Sequence, residues 1–126
     1  MTVDIYKENI IENYKNPKNF GTINDSTYTL KGNNPLCGDV IQIQLKILKN
    51  IIFDIKFKGE GCAISIASAS LLTEYLKGKN LNVIKKLDKN FMDRLLGVEI
   101  SVGRIECLLL SLKTVKEVFK NEPKRS

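Results

Sequence analysis

The order of apolar and polar residues predicts two strands in the middle of the chain. From Ile41 to Ile47 every second residue is aliphatic, and the same alternation returns from Ile51 to Phe57. A period of two is typical of strands that bury one face. Only Leu48 and the polar pair Lys49-Asn50 lie between the segments, which is too short for a crossover, so we expect an antiparallel hairpin.

The register of this hairpin follows from which residues must share the buried face. A two-residue loop with an unbroken ladder would set Leu45 opposite Asp54 and bring a charge onto the apolar face. A loop over residues 48–50 pairs apolar with apolar residues throughout. The predicted cross-strand pairs are Ile43 with Ile55, Leu45 with Phe53 and Ile41 with Phe57.

The same ladder predicts that two cysteines are neighbours. Extended past the strand ends, it sets Cys37 opposite Gly61, and the opposite one-residue choice sets it opposite Ala63. Because paired strands lie ~4.8 Å apart, both registers bring Cys37 close to Cys62.

Helical spacing of apolar residues predicts helices on both sides of the hairpin. The segments are Asp4 to Tyr14, Cys62 to about Lys77-Gly78, a shorter stretch from Val83 to Leu96, and a last helix from about Cys107 to Phe119. A further strand is expected within residues 24–34, where Thr and Tyr lie between Gly- and Asn-rich flanks.

Size and composition narrow the classes of protein that fit. The 126 residues, 43% hydrophobic and 27% charged, predict one compact domain over residues 1–126. The apolar runs are far shorter than the ~20 residues of a membrane-spanning helix, so we expect no membrane span. The N-terminus turns polar at Asp4, which predicts neither a signal nor a transit peptide and favours the cytoplasm.

The net charge of +6 does not by itself indicate a nucleic-acid partner. The lysines are spread along the chain among acidic residues, and no basic cluster alternates with aromatic side chains. We therefore expect no nucleic-acid binding.

The cysteines carry the candidate chemistry. Cys37, Cys62 and Cys107 are odd in number, and in a reducing compartment such residues act as thiols or metal ligands rather than disulfides. Cys62 and Cys107 fall at predicted helix starts, which favour the thiolate. Asp39 offers a fourth, oxygen ligand, and three sulfurs with one oxygen suit zinc and an iron–sulfur cluster alike. Because oxygen binds a cluster more weakly than thiolate, we expect easy cluster release.

Plainer explanations exist for two of these residues. Cys107 precedes Leu108-Leu109-Leu110, and composition alone favours its burial in the core. Asp39 alone could form a turn or cap a helix. A zinc finger is excluded, since the chain contains neither a CxxC pair nor a histidine.

Several segments closely resemble the U-type iron–sulfur scaffold family, which comprises IscU, SufU and the N-terminal domain of NifU. The segments are Tyr14 to Gly21, Cys37-Gly38-Asp39, Gly61 to Ser70, Lys77-Gly78-Lys79 and Arg104-Ile105-Glu106-Cys107. They cover nearly the whole chain.

The resemblance implies an α+β fold in which helices pack on a three-stranded antiparallel sheet. It implies that Cys37, Asp39, Cys62 and Cys107 meet at one tip, where iron, a transient [2Fe–2S] cluster or Zn²⁺ binds. A PLP-dependent cysteine desulfurase would deliver sulfur as a persulfide to Cys37 or Cys107. The cluster would then pass to acceptor apoproteins.

The sequence departs from the family pattern at two places. Glu106 stands where most proteins of the IscU type carry a histidine, so that imidazole is missing. Residues 98–103 lack the Leu-Pro-Pro-Val-Lys motif read by a dedicated Hsp70-type chaperone, which argues against dependence on it.

Markers of two branches occur together, and they leave two functions open. Ile64-Ser65 after Cys62, and Arg104 three residues before Cys107, resemble SufU, but the long insertion typical of SufU is absent. One hypothesis is a scaffold that assembles and releases a cluster, with Cys107 as the favoured sulfur acceptor. The alternative is a zinc-dependent sulfurtransferase, with Cys37 as the favoured acceptor.

Overall fold

The predicted α+β fold is confirmed. The computed structural model of the chain describes residues 2–120, with side chains from residue 7 onward. Its helices and strands are α1 (Thr2–Lys15), β1 (Tyr28–Asn34), β2 (Asp39–Leu48), β3 (Ile51–Glu60), α2 (Ala63–Leu76), α3 (Lys89–Leu96) and α4 (Ile105–Lys116). The strands form an antiparallel sheet in the order β1-β2-β3. Short 3₁₀ helices lie at Leu81–Lys86, Val102–Arg104 and Glu117–Phe119.

The hairpin between β2 and β3 is confirmed, but the predicted register is wrong. The turn contains only Lys49 and Asn50, whose φ angles of 51° and 65° are the left-handed values that a tight hairpin turn requires. Leu48 therefore pairs with Ile51. Beyond the turn the partners differ from the predicted ones: Ile43 pairs with Phe57, Leu45 with Ile55 and Ile41 with Gly59.

A β-bulge explains the error. Lys46 pairs with Asp54 and Ile47 with Ile52, so Phe53 is an extra residue without a cross-strand partner. The bulge moves the rest of β3 by one position and restores apolar partners to the buried face. Phe53 was expected in the core, but its side chain is 64% exposed.

One face of the sheet forms the centre of the core. Leu30, Ile43 and Phe57 lie in one cross-strand row and are all buried, and the next row contains Leu45 and Ile55. Helix α4 packs against β1 and β2, whereas α2 packs against β3 and α4. The two helices that carry cysteines therefore lie side by side over this face.

Within residues 2–120, no helix has both the length and the apolar character needed to cross a lipid bilayer. The predicted single domain includes residue 1 and residues 121–126, which lie outside the described residues.

Gly32 allows α4 to approach the sheet closely. A Cβ atom at this position would collide with Oγ1 of Thr114 and lie 3.4 Å from Cδ1 of Leu110, both on α4. Since α4 also carries Cys107, the small residue on β1 controls how near that cysteine comes to the sheet.

We predict that Gly32→Ala destabilises the protein by about 1–3 kcal/mol, because α4 must move away from β1 to make room for a methyl group. Urea unfolding measures this change. Gly103→Ala is the matched control, since a Cβ there meets no atom within 4 Å. In a Thr114→Ala background the cost should shrink; an equal cost in both backgrounds would contradict the explanation.

Candidate functional site

The four residues singled out in the sequence lie in one loop, one strand and the starts of two helices, at one end of the sheet. Cys37 is exposed in the loop between β1 and β2, and Asp39 is the first residue of β2. Cys62 is the N-cap of α2, which confirms its predicted place at a helix start, and its side chain is partly exposed. Cys107 lies in the first turn of α4.

Three of these residues bring their ligand atoms together. The sulfurs of Cys37 and Cys107 and a carboxylate oxygen of Asp39 all lie within 4.8 Å of one another. The two sulfurs are 3.7 Å apart, and all three cysteines are free thiols. Cys62 is outside this group, with its sulfur 3.7 Å from the hydroxyl of Ser65.

The observed strand register determines which residue of the β1–β2 loop and β2 lies next to Cys62. It is Asp39, not Cys37, that lies beside Gly61: a Cβ on Gly61 would be 2.6 Å from Oδ1 of Asp39. Gly38, with a left-handed φ of 74°, turns the chain between the two residues. Cys37 consequently lies against Cys107, a contact that the strand pattern did not predict.

Asp39 is a buried carboxylate with hydrogen-bond donors on both oxygens. It is only 1% exposed; Oδ1 accepts a hydrogen bond from the backbone N–H of Cys62 at 3.1 Å, and Oδ2 accepts one from Ser65 Oγ at 2.7 Å. Burial acts to raise the pKa of this carboxyl group. Hydrogen bonds from Ser65 and Cys62, with smaller contributions from Cys107 and Asn34, outweigh burial and hold its pKa below the usual value.

The pKa values of the two cysteines at helix starts are shifted in opposite directions. For Cys62, burial acts to raise the pKa, but hydrogen bonds from Ser65, Cys107 and the backbone of Ile64 lower it. For Cys107, the prediction that the thiolate is favoured is wrong when only the protein's own groups act on the thiol. Burial, the neighbouring thiols of Cys62 and Cys37, and the charge of Asp39 raise the pKa of Cys107 to about 12.

Two polar residues that support the site were given no role by the sequence reasoning. Asn34 is buried, and its side-chain Nδ2 donates a hydrogen bond to the sulfur of Cys107 at 3.9 Å. Its backbone carbonyl oxygen accepts a hydrogen bond from the backbone N–H of Cys37 at 3.2 Å. The hydroxyl of Ser65 contacts Asp39, Cys62 and the carbonyl oxygen of Cys107. Only the spacing of Ser65, one helical turn after Cys62, could have indicated its role.

Glu106, which replaces the histidine of the IscU type, is turned away from the thiol group. Its carboxylate pairs with Lys113 at 2.9 Å, and both side chains are more than half exposed. It is not one of the three residues whose ligand atoms converge.

The converging atoms fit a zinc ion by geometry and by chemistry. Zinc takes cysteine sulfur and carboxylate oxygen in tetrahedral sites, and two sulfurs each about 2.3 Å from such an ion lie about 3.8 Å apart. The observed separation is 3.7 Å. Three acidic groups that converge under partial burial also favour a cation among them. The group can therefore hold a metal ion.

Comparisons with known proteins agree with this fold. The sequence model of the NifU-like N terminal domain family matches residues 5–126. The zinc-dependent sulfurtransferase SufU of Bacillus subtilis is 44% identical over 108 residues, which are 82% of this chain and 73% of that protein. The iron–sulfur cluster assembly scaffold protein IscU of Haemophilus influenzae is 38% identical over 115 residues, which are 88% and 90% of the two chains.

Solved structures give the same result. The crystal structure of an iron–sulfur cluster assembly scaffold protein for the SUF system from Fervidobacterium islandicum AW-1 matches with a TM-score of 0.73 and 29% identity. The match covers 90% of this chain and 95% of that one. Fold and site thus define a small α+β protein with a cysteine–aspartate group at one end of its sheet. Within that class, the chain belongs to the NifU-like N-terminal domain family, as its motifs predicted.

We predict that Gly61→Ala lowers the free energy of unfolding by about 1–3 kcal/mol, because the new methyl group displaces the Asp39 carboxylate from its donors. Chelator-treated protein should be unfolded with urea, so that bound metal does not contribute. In an Asp39→Ala background the cost should be smaller, since no carboxylate remains to be displaced. Equal costs in the two backgrounds would contradict the contact.

Proposed function

We propose that this chain is an iron–sulfur cluster assembly scaffold. It accepts sulfur from a PLP-dependent cysteine desulfurase, combines it with iron into a labile [2Fe–2S] cluster, and transfers the cluster to acceptor apoproteins. The observation that carries the proposal is the convergence of two thiols and one carboxylate at one end of the sheet. The relatives named as IscU scaffolds support it.

The proposed ligands of the cluster are Cys37, Asp39, Cys62 and Cys107. Three of them already converge, and Cys62 lies next to the Asp39 carboxylate through its backbone N–H. Thiolates are the usual ligands of iron–sulfur clusters, whereas a carboxylate binds iron in a cluster less strongly. Both oxygens of Asp39 already accept hydrogen bonds, which weakens the carboxylate further as a donor and favours release of the cluster.

Sulfur enters by exchange between a thiolate and a persulfide. The accepting thiolate attacks the outer sulfur of the desulfurase persulfide; a new S–S bond forms, the old one breaks, and the desulfurase cysteine leaves as a thiolate. This transfer needs no external oxidant or reductant. Conversion of the transferred sulfur to the sulfide of a cluster takes two electrons per sulfur, which ferrous iron and an added reductant would supply. Cys37 is the most exposed of the three thiols and is best placed for this attack. Cys107, 3.7 Å away, can take the sulfur from it by the same exchange once a bound metal ion keeps Cys107 in the thiolate form.

We expect the chain to form a transferable [2Fe–2S] cluster when it is incubated anaerobically with ferrous iron, cysteine, a cysteine desulfurase and a reductant. Visible absorption and circular dichroism follow assembly, and activation of an apo-ferredoxin follows transfer. Cys37→Ala, Cys62→Ala and Cys107→Ala should each abolish stable assembly, whereas Ser111→Ala, whose hydroxyl makes no hydrogen bond to the described residues, should not. A wild-type chain that forms no transferable cluster would refute the scaffold.

A second function, zinc-dependent sulfurtransfer, is favoured by Glu106. Because its carboxylate pairs with Lys113, the residue before Cys107 supplies no further ligand, and the relative with 44% identity is named a zinc-dependent sulfurtransferase. Zinc held by Cys37, Asp39, Cys62 and Cys107 would keep the thiols deprotonated for attack on sulfur. Cys37 would then receive the persulfide and pass it on, with no cluster built.

The two functions predict different positions for the accepted sulfur. After a single turnover with the desulfurase, a scaffold should accumulate persulfide on Cys107, whereas a transferase should keep it on Cys37. Mass spectrometry of alkylated peptides locates it. The transferase should also contain tightly bound zinc and accelerate desulfurase turnover. Persulfide on Cys107 without acceleration would exclude the transferase, and the converse result would exclude the scaffold.

The proposed partners are the cysteine desulfurase and the acceptor apoproteins. The proposed compartment is the cytoplasm, whose reductants keep cysteines in the thiol form that this chemistry uses. No role is assigned to an Hsp70-type chaperone.

A further inference from the structure

Ser65 touches three of the four proposed ligands. Its hydroxyl oxygen lies 2.7 Å from Oδ2 of Asp39, 3.3 Å from the carbonyl oxygen of Cys107 and 3.7 Å from the sulfur of Cys62. The side chain is 2% exposed, so water does not compete freely for these contacts. Ser65 therefore connects the start of β2 with the first turns of α2 and α4.

We propose that Ser65 is a positioning residue that holds the carboxylate of Asp39 in the orientation needed to bind a metal ion. This inference rests on the proposed ligand role of Asp39. Ser65 itself is not a ligand in the proposal, because its oxygen already lies between the side chains that bind.

The direction of the hydrogen bond follows from the acceptors around the hydroxyl group. A serine hydroxyl has one proton to donate, and its nearest acceptor is the carboxylate of Asp39, at a shorter distance than the carbonyl oxygen of Cys107. A hydrogen bond to an ionised acceptor is also stronger than one to a neutral carbonyl. Ser65 therefore donates its hydroxyl hydrogen bond to the carboxylate of Asp39.

The second oxygen of Asp39 shows why Ser65 is needed for orientation. Oδ1 accepts the backbone N–H of Cys62, and Oδ2 accepts Ser65, so two donors from the start of α2 fix both ends of the carboxylate. With Ser65 removed, the carboxylate would lose its donor at 2.7 Å. The backbone N–H of Cys62 and the weaker contacts from Cys107 and Asn34 would hold it less firmly against rotation about its Cβ–Cγ bond. The remaining lone pairs would then face the sulfurs of Cys37 and Cys107 for only part of the time.

Helix α2 supplies a matched control. Ser68 lies one helical turn beyond Ser65, is fully buried, and its hydroxyl has no hydrogen-bond partner among the described residues. Ser68→Ala removes the same atom from the same helix without removing a contact to Asp39.

The test uses the full chain and a metal ion alone, Zn²⁺, in competition with a chelating indicator of known affinity. Loss of a partner that orients a metal ligand lowers metal affinity by about 10–100-fold. We expect that loss for Ser65→Ala and none for Ser68→Ala. With Co²⁺ as a second probe, Ser65→Ala should also change the visible ligand-field spectrum, which reports coordination and does not follow from a change in stability.

A double-mutant cycle separates positioning from a general structural effect. In an Asp39→Ala background, Ser65→Ala should cause no further loss of zinc affinity, because no carboxylate is left to orient. Unchanged affinity in Ser65→Ala, or the same loss with and without Asp39, would overturn the proposal. A wild-type chain that binds no zinc or cobalt would refute the metal site as well, whereas wild-type binding with an unaffected Ser65→Ala refutes only the positioning role.

Discussion

The buried carboxylate of Asp39 is the interaction on which the arrangement of the site depends. An ionised group removed from water is costly unless it is hydrogen-bonded, and here both oxygens find donors at the start of α2. The first residue of β2 is thereby tied to the N-terminus of a helix whose dipole also favours negative charge. These hydrogen bonds tie β2 directly to Cys62 and to the first turn of α2.

Two small residues make that arrangement possible. Gly61 leaves room for the Asp39 carboxylate beside β3, and Gly32 lets α4 approach β1 until Cys107 is buried against the same end of the sheet. A larger side chain at either place would separate elements that the chemistry needs together. The positions of Asp39 and Cys107 thus depend on the missing side chains of Gly61 and Gly32 as well as on attractive contacts.

Local pattern predicted the elements well, because alternation and helical spacing are properties of neighbouring residues. The hairpin and the helix with Cys62 at its start were predicted in this way, whereas the three-stranded sheet was expected from the family resemblance. The register was not, because the bulge at Phe53 inserts a residue whose cost and benefit depend on the whole buried face. The predicted ladder consequently placed Cys37 beside Cys62, whereas the structure places Asp39 there and Cys37 against Cys107.

The supporting residues were missed for a related reason: Asn34 and Ser65 act across elements far apart in the chain. The three thiols also differ in environment, from exposed Cys37 through partly exposed Cys62 to buried Cys107. Under the proposed function, sulfur delivered by a desulfurase would meet the exposed thiol first, and a product built inward from it would be sheltered by Cys107 and its neighbours. The order of exposure would then favour inward passage of sulfur, while Asp39, already engaged in hydrogen bonds, would favour release.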